Sequence, residues 1–395
     1  MLHPPSPAVL DAMQVEYLMW SSYVGGEPKP LSVPISMPRA DWDELASISE
    51  RFSALIRRTM DLCLDRPDLV GYWDFSPGLE RMIGADRRRR SRDLDLLARF
   101  DAFKTPQGWK LSEFNTDVPG GIHEAAGLND LIAGDRSEFS VVTRLTELTC
   151  RESARPRVGI LYASGFGEDL EQCQFIRMHW NRRGIPATLA SPANLRYERG
   201  RLTLFDEPVD VLYRCFPAEW LEDLPILDGL IAAVAEGAVR MVNPFAQLVA
   251  QSKKIMAFWH ERSDLLNPAE RELVRRYVPR TERFQSERLD EYLERRASIV
   301  VKRGFGRVGE QVLLGSFCTD EEWREELEWP LSEPGEWIVQ DRFDVLPVNL
   351  EGEDLYPCYG AYVVGPKFGG LYTRAAREPF IAGDAFTAAV KVASC

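Results

Sequence analysis

A chain of 395 residues is too long for one compact core, so two or three lobes are expected. Its 48 Lys and Arg face 61 Asp and Glu, and the net charge of −13 argues against nucleic-acid and anionic-membrane partners, since both need a basic face. At 45% hydrophobic and 28% charged, the composition is that of a soluble globular protein, and its acidity is compatible with an amine-bearing substrate.

The first residues, MLHPPSPAVL, lack the basic stretch and apolar run of a signal peptide, and nowhere do the roughly 18 apolar residues of a membrane helix run together. A cytoplasmic protein is expected. Residues 8–98 read as mostly helical, with apolar side chains at helical spacing through Trp42–Cys63 and Leu94–Leu97. The run Arg87–Arg90 with Arg92 is read as a solvated helix start flanked by Asp86 and Asp93. Short strands follow over 99–116. Residues 156–242 form a small α/β unit: a strand at Val158–Tyr162, a helix near Leu170–Arg182, strands near Ala187–Ala190 and Val209–Tyr213 with a hairpin between them turning at Arg199–Gly200, a helix near Ile226–Ala235 and a last strand at Val239–Val242. A helix bearing Lys253 and Lys254 comes next, then the strand Ile299–Lys302, a glycine-rich loop, the strand Gln311–Leu314, the strand Trp337–Gln340 and a sheet around Tyr359–Thr373.

Few residues are available for metal or nucleophilic chemistry. The seven cysteines are scattered without a Cys-x-x-Cys pair, as expected of reduced cytoplasmic thiols. The histidines at 3, 123, 179 and 260 form no close pair, which leaves a zinc site or a histidine-based triad little to work with.

Gly304, Gly306 and Gly309 spell G-x-G-x-x-G, which in a dinucleotide-binding fold opens a helix. Here the residues that follow are strand-like, so the arrangement is strand, glycine loop, strand: a flap whose bare amides can lie over phosphates. Kinase flaps are followed by a lysine on a later strand. In this chain Lys302 ends the strand before the loop, where it can hold a phosphate from below; the alternative is a plain glycine hairpin with an exposed lysine.

In Arg99-Phe100-Asp101-Ala102-Phe103, a turn at 105–108 and Leu111-Ser112-Glu113-Phe114-Asn115, alternation puts Arg99, Asp101 and Phe103 on one face and Leu111, Glu113 and Asn115 on one face. A hairpin symmetric about Gln107 sets Asp101 opposite Glu113 and Arg99 opposite Asn115. Opposed carboxylates repel, and a divalent cation between them removes that cost; magnesium takes few protein oxygens, and Asp, Glu and Asn supply them. Arg99 can bind a transferring phosphoryl group. The alternatives are a charged exposed face balanced by Arg99 and a glycosidase pair, which would have no use for the nucleotide loop.

Together these segments resemble glutathionylspermidine synthase and related ATP-grasp proteins, in which the element order is permuted so that the metal site comes early and the lysines late. The likeness runs from about residue 95 onward, through Arg99-Phe100-Asp101, Glu113-Phe114-Asn115-Thr116-Asp117, His123-Glu124-Ala125-Ala126-Gly127, Gln251-Ser252-Lys253, Val301-Lys302 with its glycine loop, Ile338-Val339-Gln340 and Arg374. It implies an α/β (α+β) ATP-grasp fold with a small Rossmann-like pre-ATP-grasp domain. It also implies magnesium on Asp101, Glu113 and Asn115, and Arg99 and Arg374 at the transferring phosphate. ATP would be held by Lys253 (or Lys254), Lys302, Gly304, Gly306, Gly309 and Gln340, with Glu168 and Asp169 on the substrate side. The domain division expected is 1–150 (helical region and metal-binding strands), 151–245 (substrate-side α/β domain) and 246–395 (ATP lobe with flap and closing sheet).

The sequence departs from that family in having no room for an amidase domain, in Arg303 after the strand lysine where ATP-grasp proteins commonly have proline, and in Gly120-Gly121 where the family has a small polar residue. Glutathione and spermidine are therefore not carried over. The expected activity is ATP- and magnesium-dependent activation of a small-molecule carboxylate as an acyl phosphate and its coupling to an amine, amino acid, peptide or polyamine. The alternatives are a small-molecule kinase and a non-catalytic nucleotide binder.

Overall fold

Opposite ends of the chain meet in one sheet. The computed structural model describes residues 2–88, 96–134, 140–306 and 311–393. Within it an antiparallel sheet runs Phe386–Ala388, Lys367–Ala376, Glu353–Val364, Leu97–Thr105, Gly108–Asn115, so that the early hairpin is hydrogen-bonded to strands some 260 residues later, with Asp101 paired to Gly360. One face of this sheet is sealed by the 27-residue helix Arg39–Asp65. That helix buries Leu45, Ile48, Phe52, Ile56, Met60 and Cys63, a stripe at three- and four-residue spacing. It ends where Arg66 precedes Pro67 and is pushed out of the helical region. Phe52, Phe100, Phe114 and Trp259 pack ring against ring at 4.9–5.7 Å beneath the sheet, and each such buried side chain stabilises the fold by about 1.5–3 kcal/mol.

Residues 158–242 form a parallel four-stranded sheet in the order Arg240–Val242, Val211–Cys215, Val158–Tyr162, Ala187–Ala190, with the helix Gly167–Arg182 against it. Its strands and helices lie where the hydrophobic pattern places them, the third strand two residues later than expected. The third sheet is antiparallel, in the order Thr281–Arg283, Trp337–Asp341, Ile299–Arg303, Val312–Leu314, and the last two strands flank the glycine loop, with Lys302 paired to Val312.

Three expectations are corrected. Residues 17–38 are not helical: Gly25, Gly26, Pro28, Pro30 and Pro34 break the pattern, and Ile35–Met37 pairs in parallel with Val390–Val392. Asp86 is not a solvated flank of the basic run. It is buried and accepts the Ala246 N–H at 2.8 Å, because the chain needs an acceptor at that turn. Arg87 is exposed, Arg88 ends a short 3-10 turn, Leu97 begins a strand rather than continuing a helix, and Arg89, Arg90, Arg92 and Leu94 lie outside the described residues. The six cysteines among the described residues form no disulfide, and no described helix is long and apolar enough to cross a membrane.

A buried polar network ties the parallel unit to the central sheet. The fully buried Asp117 and Arg214 form an ion pair; Asp117 also accepts the Ala218 N–H at 3.1 Å, and Arg214 donates to the carbonyls of Phe216 and Asn243 at 2.6 and 3.2 Å. The Asn243 amide donates to the carbonyls of Leu97 and Asp117 and accepts from the Leu97 N–H. An unpaired guanidinium here is costly, so Asp117→Ala should lose about 3–5 kcal/mol in urea unfolding. Asp117→Leu with Arg214→Met, which removes both charges, should lose less than the single change.

Candidate active site

The hairpin's register depends on one extra residue. Its turn is Pro106-Gln107 between paired Thr105 and Gly108, and Gly108 takes φ +101°, a conformation glycine adopts without strain. From that turn a regular ladder would set Asp101 against Ser112 and send Glu113 to the opposite face. Instead Ala102 pairs with Leu111 and Asp101 with Glu113, so Ser112 is a bulge. The expected pairs, Asp101 with Glu113 and Arg99 with Asn115, are the observed ones. The bulge also reverses the phase of alternation, which corrects one expectation: Leu111 does not share a face with Glu113 and Asn115 but packs in the core with Trp109 and Phe114.

Around the two opposed carboxylates the fold collects cations from four elements. Arg99, from the same strand, reaches the Asp101 carboxylate with its Nε at 3.0 Å and donates its Nη1 to the Gly120 carbonyl at 2.8 Å. Arg374, two strands away, donates to the other Asp101 oxygen at 2.7 Å. Burial would raise the Asp101 carboxyl, but the two guanidiniums overcome that and hold it below the ordinary carboxylate range. Gly360 permits this crossing, because a Cβ there would lie 2.7 Å from the Arg99 side chain.

Lys253 pairs with Glu113 at 2.8 Å and donates to the Gly306 carbonyl, also at 2.8 Å, fastening the start of the glycine loop over the hairpin. Gly304 is anchored on both sides, donating its N–H to Glu336 and accepting from the Lys253 N–H. Gly309 lies outside the described residues. Lys254 points away, to the Trp73 carbonyl and Asp74. Buried Lys302 donates to Gln340 at 2.7 Å and to the bulge carbonyl of Ser112 at 3.3 Å, and the Gln340 amide is held in turn by Thr281 at 3.1 Å. Burial, helped by repulsion from Lys253 and opposed by Glu113, pushes the Lys302 ammonium down to about 8.

Arg99, Arg374, Lys253 and Lys302 thus surround Asp101 and Glu113, an excess of two positive charges in a largely buried site. The buried Arg374 Nε and Asn115 Nδ2 have no hydrogen-bond partner. Among the described residues no group of three His, Cys, Asp or Glu is placed to hold a metal by itself. Two carboxylates and one amide oxygen are nonetheless the small oxygen set that magnesium takes when phosphates and water complete its shell, and the surplus cations suit a polyanion. The residues present fit a magnesium–nucleotide complex.

Glu168 and Asp169 lie in the first turn of the helix Gly167–Arg182, Glu168 near Glu124 and His123 and Asp169 near the buried Tyr213 and Cys215. The link to them is a pair of residues that sequence reasoning did not assign. Tyr372 has the guanidinium carbons of Arg99 and Arg374 at 5.7 and 6.0 Å from its ring centre, and its hydroxyl donates to Glu124 at 3.1 Å. Glu168 is exposed, yet partial desolvation of its carboxyl and then repulsion from Glu124 raise it. Glu124 stood in the quoted His123-Glu124-Ala125 motif, but nothing in a single sequence pairs it with Tyr372. Gln251 was quoted too, and its side-chain oxygen accepts the N–H groups of Thr116 and Asp117, fixing the end of the Glu113 strand.

The three largest sheets and the charged cluster between them define a protein of the ATP-grasp class with a pre-ATP-grasp unit. The chain belongs to the glutathionylspermidine synthase pre-ATP-grasp family, whose sequence model matches residues 36–387. Among solved structures it is similar to a glutathione synthetase-like effector from Globodera pallida in its apo form, with a TM-score of 0.64 and 12% identity over 99% of this chain and 100% of that one. It also matches a candidate gamma-glutamylcysteine synthetase from Methylobacillus flagellatus, with a TM-score of 0.47 and 11% identity over 84% and 86% of the two chains. A third match is D-alanyl-alanine synthetase A from Vibrio cholerae, with a TM-score of 0.35 and 12% identity over 61% and 89%. No curated protein matches the chain in sequence.

Tyr372 is held in place by Gly121, which takes φ +91° and whose Cβ would lie 2.5 Å from the ring. Gly121→Ala should cost about 1–3 kcal/mol in denaturant unfolding, through both strain and overpacking. Adding Tyr372→Ala should recover the overpacking part, measured as a double-mutant cycle.

Proposed function

We propose that the protein is an ATP- and magnesium-dependent ligase that activates a small-molecule carboxylate as an acyl phosphate and couples it to an amine, forming an amide and releasing ADP and phosphate. One observation carries this reading: the excess of buried cations gathered around two opposed carboxylates. Asp101, Glu113 and Asn115 would hold magnesium, which neutralises phosphate charge when bound. Lys253 and Lys302 bind phosphate oxygens, and Gln340 fixes the Lys302 ammonium at the nucleotide. The loop of Gly304, Gly306 and Gly309 covers the nucleotide and keeps water from the acyl phosphate.

Arg374, with its free Nε, and Arg99 meet the charge that develops on the phosphoryl group as it moves to the substrate carboxylate. Little covalent work falls to the protein; the catalysis is positioning and electrostatics. The acceptor approaches from the side of Glu168 and Asp169, where a carboxylate can receive its proton. The unit spanning 151–245 is the substrate-side domain in this reading, the segments 1–150 and 246–395 supply the metal strands and the ATP lobe, and the carboxylates precede the phosphate lysines in the permuted order. The charge pattern and the fold support a cytoplasmic enzyme acting on small molecules.

Asp101→Asn with Glu113→Gln should lower kcat for ADP release, with a working substrate pair, by roughly a hundredfold or more. Turnover that survives unchanged overturns the metal assignment. The Lys302 ammonium gives a second check. It is cationic below about 8 and neutral above, so nucleotide affinity should be full at lower pH and fall as pH rises through about 8 in the nucleotide-free protein. Lys302→Met should weaken ATP binding by roughly ten- to hundredfold and remove that inflection, and a flat wild-type profile would count against the role.

A further inference from the structure

We infer that Phe317 and Phe380 form an aromatic latch that holds the lobe of residues 281–341 shut over the cationic site, and that nucleotide enters and leaves by breaking it. The second half of the inference rests on the nucleotide reading above.

The lobe is built as a separate body on a narrow attachment. Phe284, Tyr292, Ile299, Val301, Trp323 and Trp337 pack into a core of their own, distinct from those beneath the other two sheets. The chain enters the lobe at Thr281 and leaves it after Asp341, and these ends lie side by side, with Thr281 paired to Gln340. Two adjacent strand ends are what a hinge needs. Sheet order puts Thr281–Arg283 at one edge and Val312–Leu314 at the other. The first edge is fastened to the rest of the protein: the Arg283 N–H donates to Glu261 at 2.8 Å, and its guanidinium lies 4.3 Å from the Tyr72 ring centre. Between the edges, the start of the glycine loop is held by Lys253 and by Phe305 against Phe75.

Phe317 follows the far edge strand, on the turn Gly315–Phe317. Arg296 fixes that turn, donating to the carbonyls of Gly315 at 2.8 Å and of Cys318 and pairing with Asp320 at 2.7 Å. Glycine is required at 315 because a Cβ there would meet the Arg296 carbonyl. On the other side, Phe380 stands on the loop after the Arg374 strand, and at the base of that loop the Arg377 Nε donates to Glu353 at 3.0 Å. Both rings are therefore presented from anchored backbone. They meet edge to face at 5.4 Å and 68°. Phe317 is 54% exposed and Phe380 38%, so neither ring belongs to a packed core.

Asp101, Lys253 and Lys302 are buried beneath the lobe, and a nucleotide needs it to swing away before reaching them. The contact at the edge opposite the fastened one resists that swing with the longest lever. An exposed aromatic pair shifts such an equilibrium by roughly three- to tenfold, enough to favour closure without blocking release.

Two measurements on the full chain test this. The first uses no nucleotide and follows labelling of Cys358 by N-ethylmaleimide, read by mass spectrometry. Cys358 is paired with Arg374, accepts from its Nη2 at 3.8 Å and is buried on the same floor, so its labelling reports opening of the lobe. Phe317→Ala and Phe380→Ala should each speed it roughly three- to tenfold. The double variant should be no faster than either single one, and Phe380→Tyr should match wild type. Cys173, buried in the parallel unit, should label at an unchanged rate, and thermal midpoints should stay within about 2–4 °C of wild type. The second measurement follows association and dissociation of fluorescent N-methylanthraniloyl-ATP with magnesium. In the alanine variants both rates should rise by the same factor and leave affinity unchanged, because the latch is made in the free and the bound closed states alike. A fall in affinity would mark a structural role for the rings and overturn the latch. Cys358 labelling equal to wild type in both variants overturns it too. So do unchanged exchange rates of an analogue that binds, and the nucleotide reading then stands alone. Faster labelling of a protein that never binds the analogue leaves the latch in place and removes its nucleotide role together with that reading.

Discussion

Two carboxylates facing each other across adjacent strands are a standing electrostatic cost, and most of the site is arranged around that cost. Asp101 is buried and the Glu113 side chain is 23% exposed, so solvent relieves that cost only in part. The fold therefore supplies cations from the same strand, from the strand two places along the sheet, from the helix entry at Lys253 and from the neighbouring lobe at Lys302. Each arrives on a different element, so the position of every element is coupled to the charge balance of the hairpin. The same arrangement overshoots neutrality, and a site left with surplus buried positive charge and an unpartnered guanidinium nitrogen is prepared for an anion.

Close approach of backbone and side chain makes this crowding possible. Glycine at 360 lets Arg99 lie flat across the sheet, and glycine at 121 leaves room for the Tyr372 ring between the guanidiniums and Glu124. Gln172 reinforces the second of these from the parallel unit: its amide accepts the Ile122 N–H at 3.0 Å and donates to the Pro119 carbonyl at 3.3 Å, fixing the loop whose Gly120 carbonyl holds Arg99. The parallel unit and the Arg99–Asp101 cluster are therefore joined by one short chain of hydrogen bonds. The buried Asp117–Arg214 pair makes a second connection.

Much of the architecture was legible because local pattern and final environment agree. The strands of the parallel unit are apolar runs bounded by turn residues, and burial on both faces is what such runs require. The strand–loop–strand reading of the glycine segment rested on Val312 and its neighbours being strand-like, and they are. The failures have equally local causes. Residues 17–38 fell within the stretch read as mostly helical, but their prolines and paired glycines cannot propagate a helix. Leu111 was placed on the wrong face because simple alternation cannot anticipate that Ser112 drops out of the ladder.

What the sequence by itself determined is the hairpin that opposes Asp101 to Glu113, the strand that Lys302 occupies before the glycine loop, and the family to which the chain belongs. These are properties of residue type and short-range spacing. Tertiary structure alone decided which partners they meet. It turned Lys253 rather than Lys254 to Glu113, brought Arg374 to Asp101, and set the Tyr372 ring between the two guanidiniums and Glu124. Those contacts join residues tens to hundreds of positions apart, and they follow from sheet order, a single bulge and two glycines that admit close packing, none of which a periodic pattern encodes.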